Sequence, residues 1–160
     1  MTFARAAALS AAVLTGVLSG AAPALAAEPT IVELTVVGGP GLNPNADGRA
    51  SPIVVRIFEL AATTRFEAAD YVALFERPGA DLKREVVAQN EFVLRPGGIE
   101  EQNRTLQPQV QMLGIAAAFR DLDHAQWRLT IPVTPGRRNF VLVHLERNSI
   151  RIVPAEPGRP

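Results

Sequence analysis

The chain has 160 residues, with 16 basic and 16 acidic side chains, 48% hydrophobic residues and no cysteine. A formal net charge of zero leaves no basic excess to draw nucleic acid or anionic lipid. The missing cysteine excludes disulfides, thiolate metal sites and thiol catalysis, and the length suits one domain plus an export segment.

The N-terminus carries one positive residue, Arg5, before the uncharged stretch Ala6 to Ala22. Pro23 breaks that stretch, and Ala24-Leu25-Ala26 fits a small-x-small cleavage site. A transmembrane span is the competing reading, since the stretch is nearly long enough. Alanine dominance, the start at the extreme N-terminus and the cleavage pattern favour an export signal over residues 1–26. Cleavage there leaves 134 residues (160 − 26) with 15 basic (16 − 1, losing Arg5) and 16 acidic side chains. A domain over residues 27–160 then buries about two-thirds of its unfolded surface.

Thr30 to Val37 alternates, with Val32, Leu34 and Val36 on one face and Glu33 and Thr35 on the other, as in a half-buried strand. Gly38-Gly39-Pro40-Gly41 stops it, and a loop runs on to Ser51. At about 14 residues this connection exceeds the usual hairpin length, which points to function. Asn43, Pro44, Asn45, Asp47 and Gly48 favour turns by different routes. Pro52 marks a strand entry, followed by Ile53 to Leu60 with only Arg56 interrupting its apolar start.

Phe66 to Glu76 changes period. Ala68, Tyr71, Leu74 and Phe75 form one stripe, predicting one short amphipathic helix ended by Pro78-Gly79. Its aromatic face suits packing on a sheet, and Glu67 and Asp70 suit its solvated side. Arg84 to Ala88 and Glu91 to Leu94 are strand candidates, with a turn at Pro96-Gly97-Gly98. Ile99 to Pro108 is poor in large apolar residues and is expected to be a loop. Met112 to Phe119 suits a tightly packed strand, with a helix as the open alternative. Thr130 to Val133, Phe140 to Leu145 and Ser149 to Val153 complete the strands, the middle one following a turn at Pro135 to Asn139. About eight short strands and one helix indicate a mainly β, two-sheet sandwich.

Chemistry-bearing constellations are sparse. Asp121, Asp123 and His124 bring ligand types together, yet a metal site needs more ligands converging from elsewhere, and an Asx-type turn is the favoured reading. His144 lies opposite Val143 and Leu145 on its strand. Ser51 precedes proline and Ser149 sits in a hairpin, so neither is in a nucleophile-elbow context. The glycines at 38–41 match no phosphate-binding motif. Arg120 and Arg128 flank Asp121, Asp123 and a tryptophan, Trp127, expected to be buried. No acid, base and nucleophile converge, so neither an enzyme nor a cofactor is expected.

Four stretches together carry a resemblance: Leu42 to Leu60 (N-P-x-x-x-G-R-x-S-P, then V-R-I-F), F-x-x-A-D-Y-x-x-L-F at Phe66 to Phe75, the turn Leu94 to Gly97, and L-G-I-A-A-A-F-R-D-L-D-x-A-x-W-R at Leu113 to Arg128. In this order they resemble the TssJ (SciN/VasD) family of type VI secretion outer-membrane lipoproteins. The resemblance implies a transthyretin-like two-sheet β-sandwich with one short added helix, and a structural rather than catalytic role. It also implies binding to the periplasmic domain of TssM, and through it to the TssL–TssM inner-membrane complex. In that family the first interstrand loop contributes to the contact. Here that makes Asn43, Asn45, Asp47 and Arg49 the candidate contacts, with Pro44 and Gly48 shaping the loop. One departure stands out: Leu18-Ser19-Gly20-Ala21 is a lipobox with Ala21 where the acylated cysteine belongs. Without that thiol no lipid is attached there, and a soluble periplasmic protein is expected, with association to the inner face of the outer membrane left open. A periplasmic ligand- or carbohydrate-binding sandwich is the alternative, and it would show an exposed aromatic platform.

Overall fold

The computed structural model describes residues 28–76 and 80–154. The export signal at 1–26, Ala21 and the Pro78-Gly79 helix stop lie outside the described residues. Strand β1 (Thr30–Gly38) shows the strict alternation its sequence carries, with Val32, Leu34 and Val36 fully buried. It is central in a four-stranded sheet of order β4-β1-β7-β8, made with β4 (Ile99–Leu106), β7 (Arg138–Leu145) and β8 (Ile150–Val153). β1 runs antiparallel to β4 and parallel to β7. The second sheet has order β3-β2-β5-β6, with β2 (Ile53–Leu60), β3 (Val86–Leu94), β5 (Met112–Ala117) and β6 (Arg128–Pro132), all antiparallel. The inner faces of the two sheets enclose one apolar core, including Leu34, Val55, Ile57, Leu113, Ile115 and Val143. The two-sheet sandwich expected from turn spacing is therefore the architecture.

β2 is apolar on both faces because both are covered. Ile53, Val55 and Ile57 point into the sandwich, while Phe58 and Leu60 point outward into a second core with Phe66, Leu74, Leu82 and Ala116. That second core lies under three short helices: α1 (Thr64–Ala68), α2 (Tyr71–Phe75) and α3 (Ala80–Glu85). The single helix predicted over Phe66 to Glu76 is thus split. Asp70 is extended (ψ 177°) and its carboxylate accepts from the Ala73 N–H at 2.8 Å, so it starts a new helix instead of continuing the old one. Five-residue helices have no stability alone. Two arginines on the sheet hold these down: Arg128 donates to the carbonyls of Phe66 and Ala69, and Arg56 donates to the Leu74 carbonyl at 2.6 Å. The Glu85 carboxylate takes the Arg65 N–H at 2.7 Å, supplying the cap that Thr63 does not.

Two further expectations are corrected. Arg84 lies in α3, and the two strand candidates at 84–94 are one continuous strand, β3. Ile99 to Pro108 is not a loop: Ile99–Leu106 forms β4, paired with β1 along its whole length. Its inward side chains before Leu106 are polar, so period-2 hydrophobicity is missing over most of the strand. Gln102 accepts from Asn90 at 3.1 Å and Arg104 pairs with Glu59 at 2.7 Å, both across to the other sheet. Backbone pairing and cross-sheet polar bonds make this strand, not apolar alternation. The count of eight strands survives only because one merger and one addition cancel. Trp127 is half-buried, its ring covered by Arg128 at 4.8 Å and met edge-on by Tyr71 at 6.1 Å.

Candidate partner-binding site

β1 ends where its backbone must pass very close to the β3–β4 turn. The Gly38 N–H donates to the Gly98 carbonyl at 2.9 Å and the Gly97 N–H to the Gly38 carbonyl at 3.0 Å. A Cβ on Gly38 would stand 2.7 Å from the Arg95 carbonyl oxygen, so only glycine fits. From here the chain runs as the loop 39–52, which is anchored rather than loose. Leu42 is fully buried in the core, the Leu42 N–H donates to the Gly39 carbonyl at 3.2 Å, and the Ser51 N–H donates back to the Leu42 carbonyl at 2.9 Å.

Asn43 is the pin of this loop. It is 3% exposed and holds φ at 45°, a left-handed conformation that asparagine tolerates better than most residues. Its amide nitrogen donates to the Pro52 carbonyl and its amide oxygen accepts from the Arg120 N–H, each at 2.9 Å. Its backbone N–H reaches the Arg147 carbonyl at 3.0 Å. One side chain therefore closes the loop on itself and fastens it to the segment after β5, while its backbone ties it to the β7–β8 turn.

Beyond Asn43 the tip closes on itself. Asn45 Oδ1 accepts from the N–H groups of Asp47 (3.1 Å) and Arg49 (2.9 Å), an Asx turn. The Asn45 N–H donates to the Arg49 carbonyl, and the Gly48 N–H to the Asn45 carbonyl, each at 2.9 Å. Gly48 adopts φ 77°, the left-handed region that this turn requires. The result presents Ala46, Asp47, Gly48 and Arg49 to solvent, with Pro44 and Asn45 half-covered.

Two segments that sequence reasoning did not assign to the site join the loop at this end. A single 3-10 turn at Leu122–His124 and the β7–β8 turn are stitched together, with Gln126 N–H to the Asn148 carbonyl at 2.9 Å and Asn148 Nδ2 to the His124 carbonyl at 3.2 Å. With the loop they line a shallow pocket of about 100 Å³ formed by Asn43, Pro44, Phe119, Asp121, Arg147 and Asn148. The Phe119-Arg120-Asp121 run was visible in the sequence. Arg147 and Asn148 carried no signal beyond a turn. His124 Nδ1 lies 2.7 Å from Asp121 Oδ1, and this hydrogen bond, with the carboxylate charge, raises its pKa above 6.5. Among the described residues no group of three or more His, Cys, Asp or Glu side chains is placed to hold a metal ion. Asp121, Asp123 and His124 therefore form a turn with one carboxylate–imidazole pair. The arrangement offers a pinned, solvent-facing surface suited to protein contact.

Residues 30–148 match the family model described as type VI secretion lipoprotein, VasD, EvfM, TssJ. The chain belongs to the TssJ (SciN/VasD) family. Its fold is similar to the crystal structure of the T6SS lipoprotein TssJ1 from Pseudomonas aeruginosa, with 40% identity and TM-score 0.77, over 82% of this chain and 99% of that one. A chain from a structure described as a type VI membrane complex is 27% identical, with TM-score 0.71, over 78% and 98% of the two chains. A chain from a structure described as the T6SS protein TssM C-terminal domain from EAEC is 26% identical, with TM-score 0.66, over 79% and 99%. No curated protein sequence matches this one significantly. The TssJ family and the sandwich expected from the four motifs are thus both established, and the chain is a component of type VI secretion by family.

Proposed function

We propose that this TssJ-family chain is a non-catalytic structural component of the envelope-spanning type VI membrane complex and that its loop 39–52 binds the periplasmic domain of TssM. The observation that carries this reading is the pinning of that loop by Asn43, which holds an exposed tip in one conformation and so lowers the ordering cost of binding. Asn45, Asp47, Gly48 and Arg49 present the contact surface, Pro44 borders the adjoining pocket, and Asn43 positions them from beneath. Position in the fold supports the same role. The chain enters at Thr30, beside Gly136 and Arg137, and reaches the loop only after the full length of β1. Nine residues of strand separate those ends by roughly 26 Å. The loop thus stands at the end of the sandwich opposite the N-terminal entry, where a partner can reach it. The carbohydrate-binding alternative gains nothing from Trp127 and Tyr71, whose rings are engaged with Arg128, Phe75 and each other.

The test is a titration of residues 27–160 against the periplasmic domain of the TssM encoded in the same genome, beside a variant with Asn45, Asp47 and Arg49 changed to alanine. Saturable one-to-one binding that weakens at least tenfold in the variant supports the assignment and the site. Binding equal in both keeps the partner and moves the interface. No binding at high micromolar concentration overturns the reading.

A further inference from the structure

The chain is neutral overall, yet its free positive charge is gathered at one end. On the sheets and helices the arginines are engaged: Arg56 with Glu91, Arg104 with Glu59, Arg138 with Glu33, and Arg128 with helix carbonyls. Arg49, Arg95, Arg120, Arg137 and Arg147 are exposed, and among the described residues their guanidinium groups meet neither a carboxylate nor a carbonyl. All but Arg137 surround loop 39–52. The Arg49 carbonyl closes the tip, the Arg120 N–H and the Arg147 carbonyl hold Asn43, and Arg95 opens the turn packed on Gly38. Their backbones are committed to the fold and their charges are not. The carboxylates of this end are placed differently. Glu146 lies 2.9 Å from His144 and 3.5 Å from Arg151, Asp121 lies 2.7 Å from His124, and Asp123 also acts on that imidazole. Asp47 accepts from the Asn45 amide at 3.4 Å. Each negative group therefore has a cation or donor beside it, and the four guanidinium groups have none. One exposed arginine is ordinary, but four around a pinned loop give that end a positive field.

Arg147 is the one of the four that lines the pocket beside the loop, with Asn43, Pro44, Phe119, Asp121 and Asn148. Its stem lies against Gly41, where an added Cβ would stand 3.3 Å from Arg147 Cγ. Asp121 shares the pocket wall, but its Oδ1 is directed at the His124 imidazole. We propose that Arg147 takes a partner carboxylate at this pocket, and that Arg49, Arg95 and Arg120 around it draw an acidic partner surface towards the loop. This deepens the reading of loop 39–52 as the TssM contact and rests on it: the face of the TssM periplasmic domain that meets the loop is acidic. A guanidinium fork accepts both oxygens of a carboxylate in parallel, which fixes orientation as well as adding attraction. The three surrounding charges stay solvated and act over a longer range, so they set the rate of approach more than the lifetime of the complex.

The test measures association and dissociation rates against the periplasmic domain of the TssM encoded in the same genome. The protein used spans residues 27–160, which hold every described strand and helix and both apolar cores. Arg147→Glu is expected to weaken binding about tenfold or more, and Arg147→Lys, which keeps the charge and loses the fork, to weaken it less. Arg95→Glu/Arg120→Glu is expected to slow association about tenfold and leave dissociation unchanged. Arg137→Glu makes the same charge change at the entry end and is expected to leave both rates as they are. Raising the salt from about 50 mM to about 500 mM should slow association of the unaltered protein and act less on the double variant. Urea midpoints are expected to be unchanged, because Arg147 holds Asn43 through its backbone carbonyl and the other side chains are free. Unaltered binding in Arg147→Glu and the double variant, beside a loss when Asn45, Asp47 and Arg49 become alanine, overturns this inference and keeps the loop as the contact. Equal losses in Arg147→Glu and Arg137→Glu also overturn it, since net charge alone would then be at work. Absence of binding by the unaltered protein overturns both readings.

Discussion

Asn43 determines whether the candidate site has one shape. Its amide satisfies the Arg120 N–H and the Pro52 carbonyl while its own backbone sits at φ 45°. Asn43→Ala removes both bonds and places a less tolerant residue in the left-handed region. It is expected to cost about 2–3 kcal/mol in urea unfolding and to weaken the proposed contact with TssM in parallel. Asn43→Asp keeps the acceptor for Arg120 but sets a buried carboxylate oxygen against the Pro52 carbonyl, so a loss at least as large is expected near neutral pH. Equal stability for all three proteins would remove Asn43 from its role. A second residue-scale consequence follows from His124. Its pKa is raised by the Asp121 hydrogen bond and charge, so the folded protein binds that proton more tightly than the unfolded chain. The resulting stabilisation is complete below the unperturbed value of 6.5 and is lost as pH rises through the raised one. NMR titration should place the His124 midpoint above that of an Asp121→Asn variant. Identical midpoints would refute the pairing in solution.

Elements were legible where burial was one-sided or complete. β1 alternates because one face meets the core, and β2 is nearly continuous because helices cover its second face, so both show in the sequence. β4 was illegible because its inward residues before Leu106 are Glu100, Gln102 and Arg104, the last two partnered by Asn90 and Glu59 from the opposite sheet. The split between α1 and α2 was hidden because Asp70 reads as a solvated helix residue until its carboxylate is seen capping Ala73. In the site, loop 39–52 was marked by its own turn formers, whereas Arg147 and Asn148 enter through tertiary contact that no local pattern encodes. How the helices dock is itself testable. Gly114 lies on β5 beneath Phe66, and an added Cβ would stand 2.7 Å from Phe66 Cζ and 3.0 Å from Leu60 Cδ1. Gly114→Ala is expected to cost about 1–3 kcal/mol and to raise amide exchange across α1 and α2 before the sheets. Uniform loss of protection over the molecule would show that the helical insertion is not a separate layer.

At the scale of the whole molecule the sandwich closes its two sides differently. Along β6 and β8 the closure is backbone, with the Gln126–Ser149 bridge and the Ile150 N–H donating to the Gln126 carbonyl at 2.9 Å. On the side of β4 it is polar side chains, Gln102 to Asn90 on β3 and chiefly Arg104 to Glu59 on β2, whose side chains are only 20% and 9% exposed. A pair so covered gains from mutual attraction but has already lost much of its hydration, so its net contribution is small while each partner needs the other. Glu59→Leu leaves the Arg104 guanidinium facing the core without its carboxylate and is expected to destabilise by about 2–4 kcal/mol, as is Arg104→Met. The Glu59→Leu/Arg104→Met double variant removes both charges and is expected to recover to within about 1 kcal/mol of the unaltered protein. Urea midpoints of the four proteins close this cycle. Additive losses would mean that the seam is open to water and that the sheets are joined by the apolar core alone. Strong coupling would show that at this seam each of the two charges depends on the other, while the register of β4 is set by its backbone pairing with β1 and not by the net worth of the pair.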